Sequence, residues 1–242
     1  MQSEDVYAVV LPTLNERPNL EVLLPRIFKL SKIRFIVIVD DNSTDGSVDY
    51  LDSLNESKVH LVNRPKRLGI GSAHLDGIMF ARDLGATVII TMDADGTHRV
   101  EDLIRILHVN GDYDVLVGSR YLEGGAIRGW AFNRILLTKL GHMTTYLFFG
   151  SKLDMSSGMR AYRTSKIPFD DLREFSPSDY SFFFVSLLLM KNMFLKIEQI
   201  PITLDSRSFG KSKMNLVLMI RGVSTLFKYG LRIRTVNQKK IS

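Results

Sequence analysis

Apolar, β-branched runs alternate with amphipathic stretches along the first half of the chain. The runs predict the strands Val6–Leu11, Phe35–Val39, Val59–Val62, Thr87–Thr91 and Val115–Val117. The stretches between them predict the helices Asn19–Leu30, Ser47–Leu54, Ser72–Leu84 and Val100–Leu107. This alternation indicates βαβ units, and therefore an α/β fold with a Rossmann-like, mostly parallel sheet flanked by helices.

The second half of the chain has longer helical segments. They predict helices over Trp130–Phe149 and Tyr180–Lys191, followed by a strand over Leu195–Leu204. Because no linker or repeat interrupts the pattern, we expect residues 1–213 to form one catalytic domain. The aromatic residues of the first of these helices are typical of a core, or of a groove that faces lipid: Trp130, Tyr146, Phe148 and Phe149.

The last residues, 214–242, predict an amphipathic C-terminal helix. Apolar residues recur there at helical spacing: Leu216, Ile220, Val223, Phe227 and Leu231. The chain has a net charge of +6, and every charged residue after Asp205 is a lysine or an arginine. Such a segment favours a membrane interface over nucleic acid, since no nucleic-acid-binding motif is present. Packing of this helix on the core is the alternative.

Composition limits the cellular location and the kind of metal site. The chain has no cysteine, which excludes disulfides and thiolate ligands. Its first residues show no basic leader before an apolar stretch, so we expect no cleaved signal sequence. No apolar run approaches the ~20 residues that cross a bilayer. These features predict a cytoplasmic protein that associates peripherally with a membrane.

Polar loops follow the predicted strands at residues 12–16, 40–46, 93–98 and 118–121. Since the carboxyl ends of parallel strands meet at one edge of a sheet, we expect these loops to form one site. Asp93 and Asp95 can together hold Mg²⁺ or Mn²⁺ that bridges pyrophosphate oxygens. Without further motifs, however, two aspartates at this spacing are more often solvated residues of a turn. Asp41 fits either a helix cap or an acceptor for a base N–H.

The loop at residues 63–73 brings basic side chains and glycines before a helix, which suits an anion. It lacks the third glycine of a GxGxxG fingerprint, so a dinucleotide cofactor is not expected. His60, His74 and His108 form no metal-ligand spacing with one another and are expected to be packed or solvated.

Several segments combine in a recognisable order. They are ProThrLeuAsnGluArgProAsn (12–19), ValAspAspAsnSerThrAspGly (39–46), ArgLeuGlyIleGlySerAla (67–73), AspAlaAsp…His (93–98), GlySerArgTyr (118–121), SerSerGlyMetArgAlaTyrArg (156–163) and ProIleThrLeuAspSerArgSerPheGlyLysSerLysMet (201–214). This order resembles the family 2 glycosyltransferases, in particular the dolichol-phosphate mannose synthase branch. The resemblance extends from about Val6 to Met214, and the ArgxxGxSerLys element together with GlySerArgTyr separates this branch from polymer-forming relatives.

The resemblance implies a GT-A fold and an inverting transfer of a hexose, mannose in this branch, from a nucleotide diphosphate sugar to a polyprenyl or dolichyl phosphate. It implies that base and ribose contact Pro12, Leu14, Glu16, Val39 and Asp41. It assigns the diphosphate to Asp93, Ala94 and Asp95, with the metal on Asp93 and Asp95. It assigns the acceptor phosphate to Arg120 and Arg134, and a loop over the pyrophosphate to Arg207 and Lys213. The expected catalytic residues are Asp95, Arg120, Arg134, Arg207 and Lys213, with Arg120 also on the donor side.

The chemistry of a phosphate acceptor agrees with these roles. A phosphate monoester carries about −1.5 to −2 charge near neutral pH, so its oxygen is a nucleophile without a general base. Repulsion between it and the sugar nucleotide is offset by a divalent ion and cationic side chains. Direct displacement at the anomeric carbon inverts its configuration, which predicts a β-linked product from an α-linked donor.

The chain also departs from the family pattern. Phe183 and Val185 stand where the family has a glutamine and a glutamate, and Thr97, Thr138 and His142 are further departures. They leave the donor open: GDP-mannose is favoured, and UDP-glucose or a similar donor is the alternative. A non-catalytic, membrane-associated scaffold of the same fold is an alternative from another class. A membrane subunit as partner is also compatible with the sequence.

Two rival enzymes fit parts of the sequence. The run that ends in AspAlaAspGlyThr also matches the opening of haloacid dehalogenase-type phosphatases, with Asp93 as nucleophile and Asp95 as general acid. That motif normally opens the fold, whereas here other loop motifs precede it. A transferase to a hydroxyl acceptor needs a general base, and the GlnxxArgTrp signature of such relatives does not occur.

Overall fold

The computed structural model describes residues 4–209, which form an α/β domain. The strands are β1 (Tyr7–Thr13), β2 (Ile33–Asp40), β3 (Val59–Asn63), β4 (Val88–Thr91), β5 (Val115–Ser119), β6 (Ala126–Ile127), β7 (Arg160–Arg163), β8 (Ile197–Pro201) and β9 (Thr203–Leu204). The helices are α1 (Arg17–Phe28), α2 (Ser47–Ser53), α3 (Ile70–Asp83), α4 (Val100–Ile106), α5 (Phe132–Phe149), α6 (Phe169–Phe175) and α7 (Ser181–Asn192), with a 3-10 turn at Thr164–Lys166. The predicted helix over 214–242, the boundary at 213 and Lys213 lie outside the described residues.

The main sheet has seven strands in the order β3-β2-β1-β4-β7-β5-β8. Its pairings are parallel except those of β7, which runs antiparallel to β4 and β5. The predicted mostly parallel sheet is therefore confirmed. Because β2 and β4 flank β1, the polar loops that follow these strands are neighbours at one edge.

Both faces of the sheet are covered by helices, which explains the continuous apolar runs. Val10 and Val39 face the helices α3 and α7, whereas Val9 and Leu11 face α1 and α4. Each such buried side chain stabilises the fold by about 1.5–3 kcal/mol. Gly77 lets α3 approach the sheet, since a Cβ at this position would lie 2.9 Å from the Val39 side chain.

Three strands and helices of the second half were not predicted, namely β6, β7 and α6, and one strand was predicted wrongly. Strand β7 and helix α6 are short, and β7 begins with a charged residue, Arg160, that is fully buried. The predicted single strand Leu195–Leu204 is wrong, because the chain crosses between two sheets at Ile202. Strand β8 pairs with β5 in the main sheet, and β9 pairs with β6 in a separate two-stranded sheet.

Helix α5 lies at the surface with an exposed apolar face. Thr145 is its one buried residue, and its exposed apolar side chains include Phe132, Leu136, Leu140, Met143 and Leu147. The prediction that Tyr146 and Phe148 lie in a core is wrong, since they are 48% and 57% exposed. Across residues 4–209, no helix combines the length and apolar character needed to cross a membrane.

Candidate functional site

A cleft opens at the edge of the sheet where β1, β2 and β4 end. It is lined by many of the predicted site residues: Pro12, Leu14, Glu16, Asp41, Asp93, Ala94, Asp95 and Arg207. The lining also includes Arg67, from the basic loop at residues 63–73, and two residues that were not predicted to belong to the site, Asp179 and Tyr180. The side chain of Val39 does not line the cleft, because Val39 is 0% exposed and packs in the core beneath it, so a contact of Val39 with the base or ribose stays a prediction.

The Asp41 side chain contacts other residues of the protein. Its carboxylate accepts hydrogen bonds from the backbone N–H groups of Leu68 and Gly69, at 2.7 and 2.9 Å. It also forms a buried ion pair with Arg64 at 2.6 Å. These contacts hold the loop before α3 at the floor of the cleft. A contact between Asp41 and the nucleotide base therefore stays a prediction. The base N–H would have to donate to a lone pair of the carboxylate that these partners leave unoccupied.

Asp95 is oriented by its own loop. Its Oδ1 accepts hydrogen bonds from the backbone N–H and the hydroxyl of Thr97, at 3.0 and 2.6 Å. Its Oδ2 lies 2.9 Å from Nε of Arg207. Thr97, one of the departures from the family pattern, thus acts on the Asp95 carboxylate and fixes its direction.

Asp93 stands between two histidines at the other side of this loop. Its backbone N–H donates to Nδ1 of His98 at 2.8 Å, and its Oδ1 lies 3.9 Å from Nε2 of His74. Burial alone would raise the pKa of Asp93, but its interactions with His98, His74 and Arg207 outweigh it and lower the pKa to about 2. The carboxylate is therefore ionised throughout the neutral range and suits a cation.

The segment at residues 205–208 closes against this loop. The backbone N–H of Asp205 donates to the Thr97 carbonyl at 3.1 Å, and that of Ser208 donates to the Asp95 carbonyl at 3.3 Å. The indole N–H of Trp130 donates to the Asp205 carbonyl at 2.9 Å. This packing places Arg207 over the acidic pair, where its Nη1 also lies 3.8 Å from Glu16.

The two arginines assigned to the acceptor phosphate have different surroundings. Arg120 is buried and forms a bidentate ion pair with Asp154, with Nε to Oδ2 at 2.7 Å and Nη2 to Oδ1 at 2.5 Å. Burial would lower the pKa of Arg120, but Asp154 outweighs it and raises the pKa. Arg134, at the first turn of α5, is half-buried and stacks on the Trp130 ring at 3.5 Å. Neither arginine lines the cleft itself.

The sequence model of glycosyl transferase family 2 matches residues 8–168, which is more than half of the chain. The chain is a family 2 glycosyltransferase.

Curated relatives of this glycosyltransferase cover nearly its whole length. It is 32% identical over 231 residues to a polyprenol monophosphomannose synthase of Mycolicibacterium smegmatis, covering 93% of this chain and 87% of that protein. It is 30% identical over 228 residues to an undecaprenyl-phosphate mannosyltransferase of Micrococcus luteus, covering 93% of this chain and 94% of that protein. Among solved structures, glucosyl-3-phosphoglycerate synthase of Mycobacterium tuberculosis with Mn²⁺ and UDP has a TM-score of 0.65 at 18% identity, covering 94% of this chain and 81% of that one. This likeness shows the fold, which is GT-A.

The glycosyltransferase offers carboxylate oxygens for a divalent metal. Over the range 4–209, no group of three or more histidine, cysteine, aspartate or glutamate side chains is arranged to hold a metal ion. A site with two protein carboxylates fits Mg²⁺ or Mn²⁺ instead, because these ions take further oxygens from water and phosphate. The two carboxylates at the cleft, Asp93 and Asp95, match that donor set.

Two residues that contact predicted site residues, Asp154 and His74, were also not predicted to belong to the site. Asp154 carries no motif of its own and is separated by 34 residues from Arg120, whose charge it balances. His74 was expected to be packed or solvated, and it is fully buried, yet it faces Asp93. The sequence does carry one signal for Asp154, since it lies two residues before the SerSerGlyMetArg segment.

Proposed function

We propose that this enzyme transfers mannose from GDP-mannose to a polyprenyl phosphate at a membrane surface, with inversion at the anomeric carbon. One observation carries the proposal: the cleft joins an acidic pair, Asp93 and Asp95, to a cation from a distant loop, Arg207. The curated relatives named above, a polyprenol monophosphomannose synthase and an undecaprenyl-phosphate mannosyltransferase, support the sugar and the acceptor class.

The donor half of the proposed reaction uses the cleft. Asp93 and Asp95 would hold Mg²⁺ or Mn²⁺, which when bound supplies positive charge to the leaving diphosphate. Thr97 fixes Asp95 for this task through its two hydrogen bonds. Arg207 contacts Oδ2 of Asp95, and a metal on this carboxylate would repel the guanidinium, so we expect Arg207 to move to the diphosphate when donor binds. Lys213, which lies outside the described residues, is proposed to bind the same diphosphate.

The acceptor half of the proposed reaction relies on Arg134 and Arg120. Burial and the neighbouring charge of Arg207 lower the pKa of Arg134, while the arginine stays protonated at neutral pH. Because one face of its guanidinium stacks on Trp130, Arg134 would bind a phosphate from the other side. Arg120 adds a fixed charge, but Asp154 balances it, so we assign Arg134 the larger share of acceptor affinity.

The outer face of α5 supports a membrane location for this site. Its exposed apolar residues recur at helical spacing, from Phe132 to Leu147, on the helix that carries Arg134. A helix with such a face lies in a membrane interface. We expect the prenyl chain to lie along α5, with its phosphate at Arg134, and the segment 214–242 to add basic anchoring.

Vesicle flotation tests the membrane part of the proposal. Met143→Asp on α5 should reduce binding to vesicles that contain anionic lipid, whereas Val22→Asp on α1 is the matched control. These side chains are 50% and 55% exposed, so neither change disturbs the core. If both variants bind the vesicles as the native protein does, membrane anchoring is assigned to residues 214–242. Flotation of a chain that lacks these residues then tests that assignment.

A donor screen tests the reaction. Thermal stability is measured with Mn²⁺ and each of GDP-mannose, UDP-glucose and UDP-galactose, because a ligand that binds only the folded state raises the melting temperature. GDP-mannose should give the largest increase. A larger increase with a UDP sugar would replace the proposed donor, and no increase with any of them would favour the scaffold alternative.

A further inference from the structure

His74 is a fully buried histidine, and neither of its ring nitrogens has a hydrogen-bond partner in the described structure. An unpaired polar group in a core costs about 1–3 kcal/mol, so such a group calls for an explanation. The ring is stacked on Phe182 at 5.9 Å and contacts the Phe183 ring edge-on at 4.9 Å. These two aromatic rings fix the plane of the imidazole.

Nε2 of His74 points towards the acidic pair. It lies 3.9 Å from Oδ1 of Asp93. This is about 1 Å longer than a hydrogen bond of ~2.9 Å, a gap that a small rotation of the carboxylate closes. Gly158 leaves room for that carboxylate, since a Cβ at this position would lie only 3.3 Å from Oδ1.

The second histidine beside Asp93 cannot take the same role with its near nitrogen. Nδ1 of His98 accepts a hydrogen bond from the backbone N–H of Asp93 at 2.8 Å. An imidazole nitrogen that accepts carries no proton to donate. Although Oδ2 of Asp93 lies 3.7 Å from this nitrogen, His98 therefore does not donate to it. Of the two histidines, His74 is the one whose facing nitrogen is available as a donor.

We propose that His74 is a positioning residue for Asp93: its neutral ring donates Nε2–H to Oδ1 and turns Oδ2 towards the cleft. The consequence for metal binding rests on the proposed function, whereas the contact between His74 and Asp93 does not. The orientation matters because groups that hydrogen-bond a metal-binding carboxylate tune its affinity by about 10- to 100-fold.

Nitrogen-15 NMR of the metal-free protein tests the contact. The His74 ring should be neutral with its proton on Nε2, and Asp93→Asn should shift that proton signal. A His74 ring with its proton on Nδ1, or a signal that ignores the Asp93 change, would overturn the proposal whether or not a metal binds.

Substitutions of His74 separate positioning from packing. His74→Phe keeps the aromatic packing and removes the unpaired Nδ1 together with an Nε2 whose proposed partner, Asp93, is 36% exposed, so its melting temperature should stay close to that of the native protein. Its affinity for Mn²⁺ in the presence of GDP, measured by electron paramagnetic resonance, should nevertheless fall about tenfold. His74→Gln places an amide N–H near the position of Nε2 and should recover part of that affinity.

His60 provides the matched control. It also contacts two aromatic rings, those of Phe35 and Phe80, but it lies on β3 away from the cleft. His60→Phe should leave Mn²⁺ affinity unchanged. If His74→Phe also binds Mn²⁺ as the native protein does, His74 is only a packing residue and the proposal is wrong. If the native protein itself binds no Mn²⁺, the proposed metal site fails, and the NMR result alone decides the role of His74.

Discussion

Asp154→Asn should destabilise the enzyme by about 3–5 kcal/mol, since removing one partner of a buried ion pair leaves an uncompensated charge. Asp154 accepts hydrogen bonds from the backbone N–H of Arg120 at 3.1 Å and from two nitrogens of its guanidinium. The two side chains are only 5% and 1% exposed. The substitution keeps the volume of the side chain and removes its charge, so packing contributes little to the effect.

Chemical denaturation at neutral pH measures this loss as a change in the free energy of unfolding. Glu21→Gln is the matched control, because Glu21 pairs with Arg17 on the surface of α1, where both side chains are nearly half exposed. Such an exposed i,i+4 pair contributes about 0.3–0.5 kcal/mol. A loss below about 1 kcal/mol for Asp154→Asn would refute the view that Asp154 balances a buried Arg120.

The same pair predicts how stability depends on pH. Burial would raise the pKa of Asp154, but Arg120 and its hydrogen bonds outweigh it and lower the pKa in the folded state. A lowered carboxyl pKa contributes stability that is complete above the unfolded value of ~3.9 and is lost as pH falls through the folded value. The native protein should therefore lose stability below about pH 4, and Asp154→Asn should show a smaller loss over that range.

Three further results are expected. Asp95→Asn should lower metal-dependent sugar transfer more than about 100-fold in a radiolabelled-donor assay, and a smaller loss would remove Asp95 from the metal site. Arg134→Gln should raise the KM for polyprenyl phosphate about tenfold or more, as expected for the loss of a charge-assisted hydrogen bond. Lys139→Gln, on the same helix, is the control and should leave this KM unchanged. If both substitutions raise the KM equally, Arg134 has no specific role in acceptor binding. Carboxyl NMR should show that Asp93 titrates near pH 2, below the pKa of an ordinary aspartate, because it interacts with His98, His74 and Arg207. Titration near the ordinary aspartate pKa of about 4 would contradict this electrostatic account.

The strands and helices of the first half could be predicted because both faces of the sheet are buried. Val9 and Val10 enter opposite cores, so the whole run is apolar and stands out from its surroundings. Strand β7 could not be found in this way, since Arg160 opens it. That arginine is buried through hydrogen bonds to the carbonyl groups of Met155, Ser157 and Phe183, which depend on the tertiary structure.

As with the fold, only part of the candidate site could be predicted from the sequence. Loop residues such as Asp93, Asp95 and Arg207 meet at the cleft because a mostly parallel sheet brings its loops to one edge. Pairings between distant segments left no local signal. Asp154 neutralises Arg120 from 34 residues away. His74 reaches Asp93 from a helix face whose sequence pattern predicts only core packing. The exposed apolar face of α5 was likewise hidden, because periodicity shows that a helix has an apolar face and not what covers it.

The most direct test of the central claim is the anomeric configuration of the lipid product. Purified enzyme is incubated with GDP-mannose, Mn²⁺ and a polyprenyl phosphate, and the product is examined by proton NMR. The account predicts a β-linked mannosyl phosphate whose formation stops when the metal is chelated. An α-linked product, or transfer that continues at an equal rate without a divalent ion, would contradict it.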